Sequence, residues 1–145
     1  MPLMVIGTDF VLKGSYSLAA FVASMVPFFL VSDLLLLNQF PDVSADKGVG
    51  RKHLPIAIGR KASVKVYGFF LACAYITVVM GYITGTLPVE AFLAFLTIIL
   101  AIPTVKGVAG HANDIPGLVP YMGRNVIINI ATPVLLAVGL FIGGQ

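Results

Sequence analysis

The chain has 145 residues, 59% of them apolar and only 10% charged, with a mean hydropathy of +1.02. Soluble domains run near ~45–50% apolar and about 25% charged, so a soluble enzyme or a nucleic-acid-binding module is excluded and an integral membrane protein is indicated. The formal charge is only +3, and the single cysteine, Cys73, lies in an apolar stretch, which rules out a disulfide framework or a thiolate metal site.

The segment Met1 to Gly7 lacks the basic start and the Ala-x-Ala-like exit of a secretory signal, and its apolar stretch is too short to span. The chain is expected to open partway through a hydrophobic helix, although a short re-entrant segment would read the same way. Four runs then approach the ~20 residues needed to cross about 30 Å of hydrocarbon. They are roughly Leu18 to Phe40, Val66 to Gly85, Pro88 to Val105 and Asn125 to Ile142. Thr84-Gly-Thr-Leu-Pro88 joins the second and third as a tight hairpin. The link from Lys106 to Arg124 contains Gly107, Gly110, Pro116, Gly117, Pro120 and Gly123, and is expected to be irregular around a short interfacial helix. The predicted fold class is an all-α polytopic transmembrane bundle with about four full spans plus a partial N-terminal helix. It forms one transmembrane domain over residues 1–145, with a charged loop at about 41–65.

Six of the nine basic residues, Lys47, Arg51, Lys52, Arg60, Lys61 and Lys65, fall between the first two spans. The hairpin turn has none, and the last link has Lys106 and Arg124. The positive-inside rule therefore puts both longer links in the cytoplasm and predicts a multi-pass protein of the cell's inner (plasma) membrane. Lys13, on the outer side, is a minor dissent.

The first link also carries the chain's densest chemistry. Asp42 and Asp46 are spaced i, i+4, which in a helix puts both carboxylates on one face with Cβ atoms about 6 Å apart. They suit Mg²⁺, which takes oxygen ligands, keeps several waters and is commonly held by one or two carboxylates plus substrate phosphates. The plainer alternative is a pair of helix-end carboxylates bridged to Lys47 or Arg51. Asn38 joins their face only if the helix continues through Pro41, which removes one backbone hydrogen bond. Gly48 and Gly50 then loosen the chain, allowing Arg51 and Lys52 to fold back over an anion. Asp33 lies within the first span and is read as either a cavity-lining carboxylate or a bonded interhelical polar residue. His111, Asn113 and Asp114 lack a second His or Cys at ligand spacing and read as a polar loop. Tyr67, Tyr75, Tyr82, Phe69, Phe70, Phe92 and Phe95 line an isoprenoid channel or simply pack.

The pattern Asn38-x-x-x-Asp42-x-x-x-Asp46-x-x-x-Gly50-Arg51-x-x-Leu54-Pro55-x-x-x-Gly59 resembles the second aspartate-rich motif of the UbiA superfamily of intramembrane aromatic prenyltransferases. The flanking Pro2-Leu-Met-Val-Ile-Gly7 and Gly14-Ser-Tyr16 are most similar to the naphthoate (menaquinone) branch. The resemblance runs from Met1 to about Lys61, and beyond that rests on the spacing of the spans. It implies a nine-helix bundle with a lateral opening, in which two aspartate-rich motifs hold Mg²⁺ against an isoprenyl diphosphate and the allylic group is transferred to an aromatic acceptor in quinone biosynthesis. Carried over, Asp42 and Asp46 are metal ligands and catalytic, and Asn38 is a ligand or a neighbour. Arg51 stands where the family usually has Lys and would bind diphosphate, with Lys47 and Lys52 as helpers. His53 replaces a common Thr and, with Asp33, Asp114 and Arg124, is a candidate for the substrate cavity.

The chain contains no Asn-Asp-x-x-Asp motif before Asn38. It is therefore expected to correspond to the C-terminal half of the fold, inactive or nearly so by itself: a fragment, a split-gene product whose N-terminal half chain supplies the first motif, or a decayed remnant. The competing readings are a non-catalytic membrane subunit or remnant, and a small ion-coupled transporter. A transporter predicts internal repeat symmetry, and the two halves of the sequence show none.

Overall fold

In the computed structural model, which describes residues 2–144, the chain is helical nearly throughout and forms an all-α polytopic bundle. A short helix α1 (Pro2–Lys13) leads into α2 (Leu18–Gly48). A one-turn helix α3 (Leu54–Ile58) then precedes α4 (Arg60–Ile83). A 3₁₀ segment (Val89–Thr97) runs directly into α5 (Ile98–Gly110), and α6 (Ile115–Gly143) completes the fold. α2, α4, the Val89–Gly110 unit and α6 are each long and apolar enough to cross a membrane.

The corner between α1 and α2 is built from side chains. Gly14 turns left-handed at φ 71°, a conformation that glycine adopts without steric cost. Ser17 then caps α2 by accepting from the Ala20 N–H at 3.2 Å while donating to the Asp9 carboxylate at 2.6 Å. Lys13 pairs with the same carboxylate at 3.1 Å. The Ser17 hydroxyl holds the Asp9 carboxyl below its ordinary range.

Within the bundle, α2 buries Val26, Leu30, Asp33, Leu37 and Phe40, an alternating four-three spacing that makes one stripe of a helix. α4 answers with Val64, Tyr67, Leu71, Ala74 and Val78. The two run antiparallel, since Phe40 meets Arg60 at one end and Val22 meets Gly81 at the other. Buried polar groups bond between elements. The Tyr67 hydroxyl donates to Asn125 Oδ1 at 3.1 Å, and Tyr75, Thr97 and Thr132 form a chain of hydroxyls with both links at 2.8 Å. Phe69, Ile76, Ile99, Ile130 and Phe141 point outward and are exposed, as lipid-facing side chains are in a protein whose apolar surface meets hydrocarbon.

Three expectations about the elements are corrected. The link 106–124 is not irregular: only residues 111–114 are non-helical among them. Pro116 sits in the first turn of α6, where its missing N–H has no helical partner to lose. Buried Val108 and Leu118 hold the surrounding turns in place by packing. The second span starts earlier, at Arg60, because Gly59 at φ 85° breaks the chain directly before it. The third span opens with nine 3₁₀ residues, where such runs usually stop at about 3–4. Its buried residues, Ala91, Ala94 and Thr97, repeat every three positions and match the 3₁₀ period. Their small side chains let α6 approach so closely that a Cβ on Gly139 would fall 2.2 Å from the Glu90 carbonyl oxygen.

Candidate functional site

α2 does not stop at Pro41. It continues as α-helix to Gly48 and carries Asn38, Asp42 and Asp46 on consecutive turns of one continuous element. Asn38 and Asp42 are exposed and Asp46 is half-buried. At 100° per residue, nine positions separate Asp33 from Asp42 by about half a turn. Asp33 therefore faces the core formed with α4 and α6, while the Asn38/Asp42/Asp46 face looks away from it. Asp33 is fully buried, and neither carboxylate oxygen has a hydrogen-bond partner among the described residues. It does not join the Asp42 site.

At the end of α2 the backbone doubles back. Gly50 is left-handed at φ 73°, and the Arg51 N–H returns to the Asp46 carbonyl at 3.0 Å. This reversal brings two side chains onto Asp46. Arg51 Nη1 lies 3.4 Å from Oδ1, and His53 Nε2 lies 3.1 Å from Oδ2 without the alignment of a hydrogen bond. The structure thus gathers Asp46, Arg51 and His53 at one point, with Asp42 one turn back along the helix. Lys47 and Lys52 are exposed beside them and have no ion-pair partner among the described residues. Asp114 and Arg124 belong to the separate α5–α6 corner. There His111 stacks on Tyr121 with ring centroids 5.4 Å apart, and the Arg124 guanidinium lies over the same ring at 5.5 Å. Both corners lie at the same end of the antiparallel spans.

Among the described residues no three His, Cys, Asp or Glu side chains converge to hold a metal ion. The donors on the exposed α2 face are two carboxylates and an amide oxygen, all hard oxygen ligands. Such a set fits a small hard cation that completes its shell with water and phosphate oxygens, as Mg²⁺ does. Arg51 beside Asp46 supplies the planar fork that suits a phosphate bidentately.

One contact at this site has no signal in the motif itself. The Arg60 side chain reaches from the start of α4 to α2 and donates to the Phe40 carbonyl from Nη2 at 2.8 Å and from Nε at 3.1 Å. Sequence reading counted Arg60 only among the basic residues of the link. The one available hint was Pro41, which marks a backbone gap that something must stabilise.

The model of the UbiA prenyltransferase family matches residues 1–113. The chain belongs to this family. The match extends past Lys61 to the end of α5, so the UbiA pattern covers the first three spans and not the aspartate motif alone. A curated relative, the 1,4-dihydroxy-2-naphthoate octaprenyltransferase of Bacillus subtilis (strain 168), is 34% identical over 114 residues. The alignment covers 78% of this chain and 36% of the relative, so the chain spans about a third of that protein's length. No solved structure gives a significant match. With its four apolar spans, this UbiA family member is an integral membrane protein.

Proposed function

We propose that this chain contributes one side of the active site of a membrane prenyltransferase, which moves an isoprenyl group from its diphosphate to an aromatic acceptor in menaquinone-type quinone biosynthesis. The observation that carries the reading is the unbroken α2 helix, which displays Asn38, Asp42 and Asp46 on a face turned away from this chain's own core. A carboxylate pair on an outward face is suited to meet a second aspartate motif, carried by a further segment or a partner chain, across a bound diphosphate. The similarity to a dihydroxynaphthoate octaprenyltransferase supports a bicyclic hydroxyaromatic acid as the acceptor and a long polyprenyl diphosphate as the donor.

Asp42 and Asp46, with Asn38, hold Mg²⁺ in this reading. When bound, the ion supplies positive charge that stabilises the departing diphosphate. Arg51 moves from Asp46 to the phosphate oxygens, and Lys47 and Lys52 add charge at the membrane border. His53 stays against Asp46 and fixes its orientation. In the transfer, the allylic C–O bond to diphosphate breaks and a C–C bond to the ring forms. The ring regains aromaticity when the alkylated carbon gives up its substituent without the bonding pair, a hydrogen as a proton or a carboxylate as CO₂, and that pair returns to the ring. The apolar walls of the bundle keep water from the allylic cation. By the distribution of Lys and Arg, the site opens to the cytoplasm.

The test is co-expression of this chain with a family segment bearing the first aspartate motif, followed by prenyl transfer assays in isolated membranes. Transfer that requires both segments and Mg²⁺ is the expected result. Complete inactivity with both segments inserted in the membrane would favour a non-catalytic subunit and contradict the proposal.

A further inference from the structure

We propose that Arg60 is a positioning residue for the metal-binding face of α2, acting by clamping the Phe40 carbonyl at the turn that Pro41 weakens between Asn38 and Asp42. The inference rests on the metal reading above, but its observations are separate. Pro41 has no N–H to give the Leu37 carbonyl, and its ring crowds that carbonyl, so a helix is weakest and most easily bent at this turn. The weak point lies between the first donor of the face, Asn38, and the second, Asp42. The restraint comes from α4: two N–H groups of one guanidinium converge on the Phe40 carbonyl, the residue directly before Pro41, at 2.8 and 3.1 Å.

The position of Arg60 argues that this contact is not incidental. A cation in the first turn of a helix opposes the helix dipole, so Arg60 is poorly placed for α4 itself. Its Nε and Nη2 both point across to α2 in a partly buried setting, and the planar fork loses little rotamer freedom per bond formed. Gly59, left-handed at φ 85°, starts α4 at the residue that must reach back. A lysine at the same place has a single point-like ammonium and cannot grip the carbonyl from two sides.

Two measurements on the full chain in detergent micelles test the role. In the first, Mn²⁺ replaces Mg²⁺ and free Mn²⁺ is followed by electron paramagnetic resonance. Arg60→Lys is expected to weaken Mn²⁺ binding by about tenfold, the range seen when a residue that orients a ligand is lost. Arg60→Met is expected to weaken it at least as much. Adding Pro41→Ala restores the helical N–H and is expected to return affinity to within about twofold of the parent, a rescue that a general packing role for Arg60 does not produce. In the second, spin labels at Leu35 and Ala45, in protein with Cys73 replaced and no metal present, report the distance across Pro41. Arg60→Lys is expected to broaden that distribution and Pro41→Ala to narrow it again.

Asp42→Asn with Asp46→Asn is the control for the underlying reading. If Mn²⁺ binding survives that pair of substitutions, the metal assignment fails, and the label widths alone decide Arg60. If the pair abolishes binding while Arg60→Lys keeps the parent affinity, or if Pro41→Ala gives no rescue, the positioning role is overturned. Unchanged label widths in both Arg60 variants overturn it as well.

Discussion

The carboxylates of this chain differ sharply in what surrounds them, and those surroundings separate their roles. Asp9 is tied to Ser17 and Lys13 at the α1–α2 corner. Its carboxyl is held below the ordinary value, so the ionised form favours the docked corner. That contribution is present above about pH 4, the usual Asp range, and is lost as pH falls through the lowered value. Hydrogen exchange of the α1 amides is expected to quicken below that point, and Asp9→Asn is expected to exchange quickly at neutral pH already. Asp46 instead meets His53 and the exposed Arg51 side chain, an arrangement that a phosphate can enter. In the core, Tyr67→Phe removes the hydroxyl bonded to Asn125 and is expected to lower stability by about 0.6 kcal/mol, with ~1.7 as the upper end for such bonds in membranes. Unfolding in mixed micelles measures this difference.

At the scale of elements, the four spans and the aspartate face were legible because their signals are local: long apolar runs and an i, i+4 repeat. The helix ends were not. Pro41 and the Gly/Pro-rich link 106–124 carry strong breaker signals, yet Pro41 and all of the link but residues 111–114 are helical. Burial of Phe40 and Val43 on one side, and of Val108 and Leu118 on the other, outweighs them. The 3₁₀ segment had no readable signal either, since Ala91, Ala94 and Thr97 show their three-residue period only against α6. Gly139→Val tests that packing. It drives a side chain into the Glu90 backbone and is expected to cost about 1–3 kcal/mol, read by the same unfolding measurement, whereas Gly110→Val, with open space at its Cβ, leaves stability nearly unchanged. Arg60 lay beyond sequence reading because its partner is a backbone carbonyl twenty residues away.

For the whole molecule, family and membrane character were readable from the motif and composition, and the family match extends that reading through α5. The direction in which the motif faces was not readable, because it depends on the phase of α2 against α4 and α6. With Asp33 turned inward, Asp42 turns outward. The charge distribution further predicts that cysteines at Lys52 and Asn113 are labelled from the cytoplasmic side and one at Thr86 from the opposite side, in protein lacking Cys73. Labelling of all three from one side would contradict the topology. Asp42→Ala plus Asp46→Ala in the co-expressed prenyl transfer assay tests whether these two carboxylates form one side of a metal–diphosphate site. Transfer is expected to fall by at least about 100-fold while membrane insertion of the chain is unchanged. Transfer at the parent rate in the doubly substituted protein would contradict it.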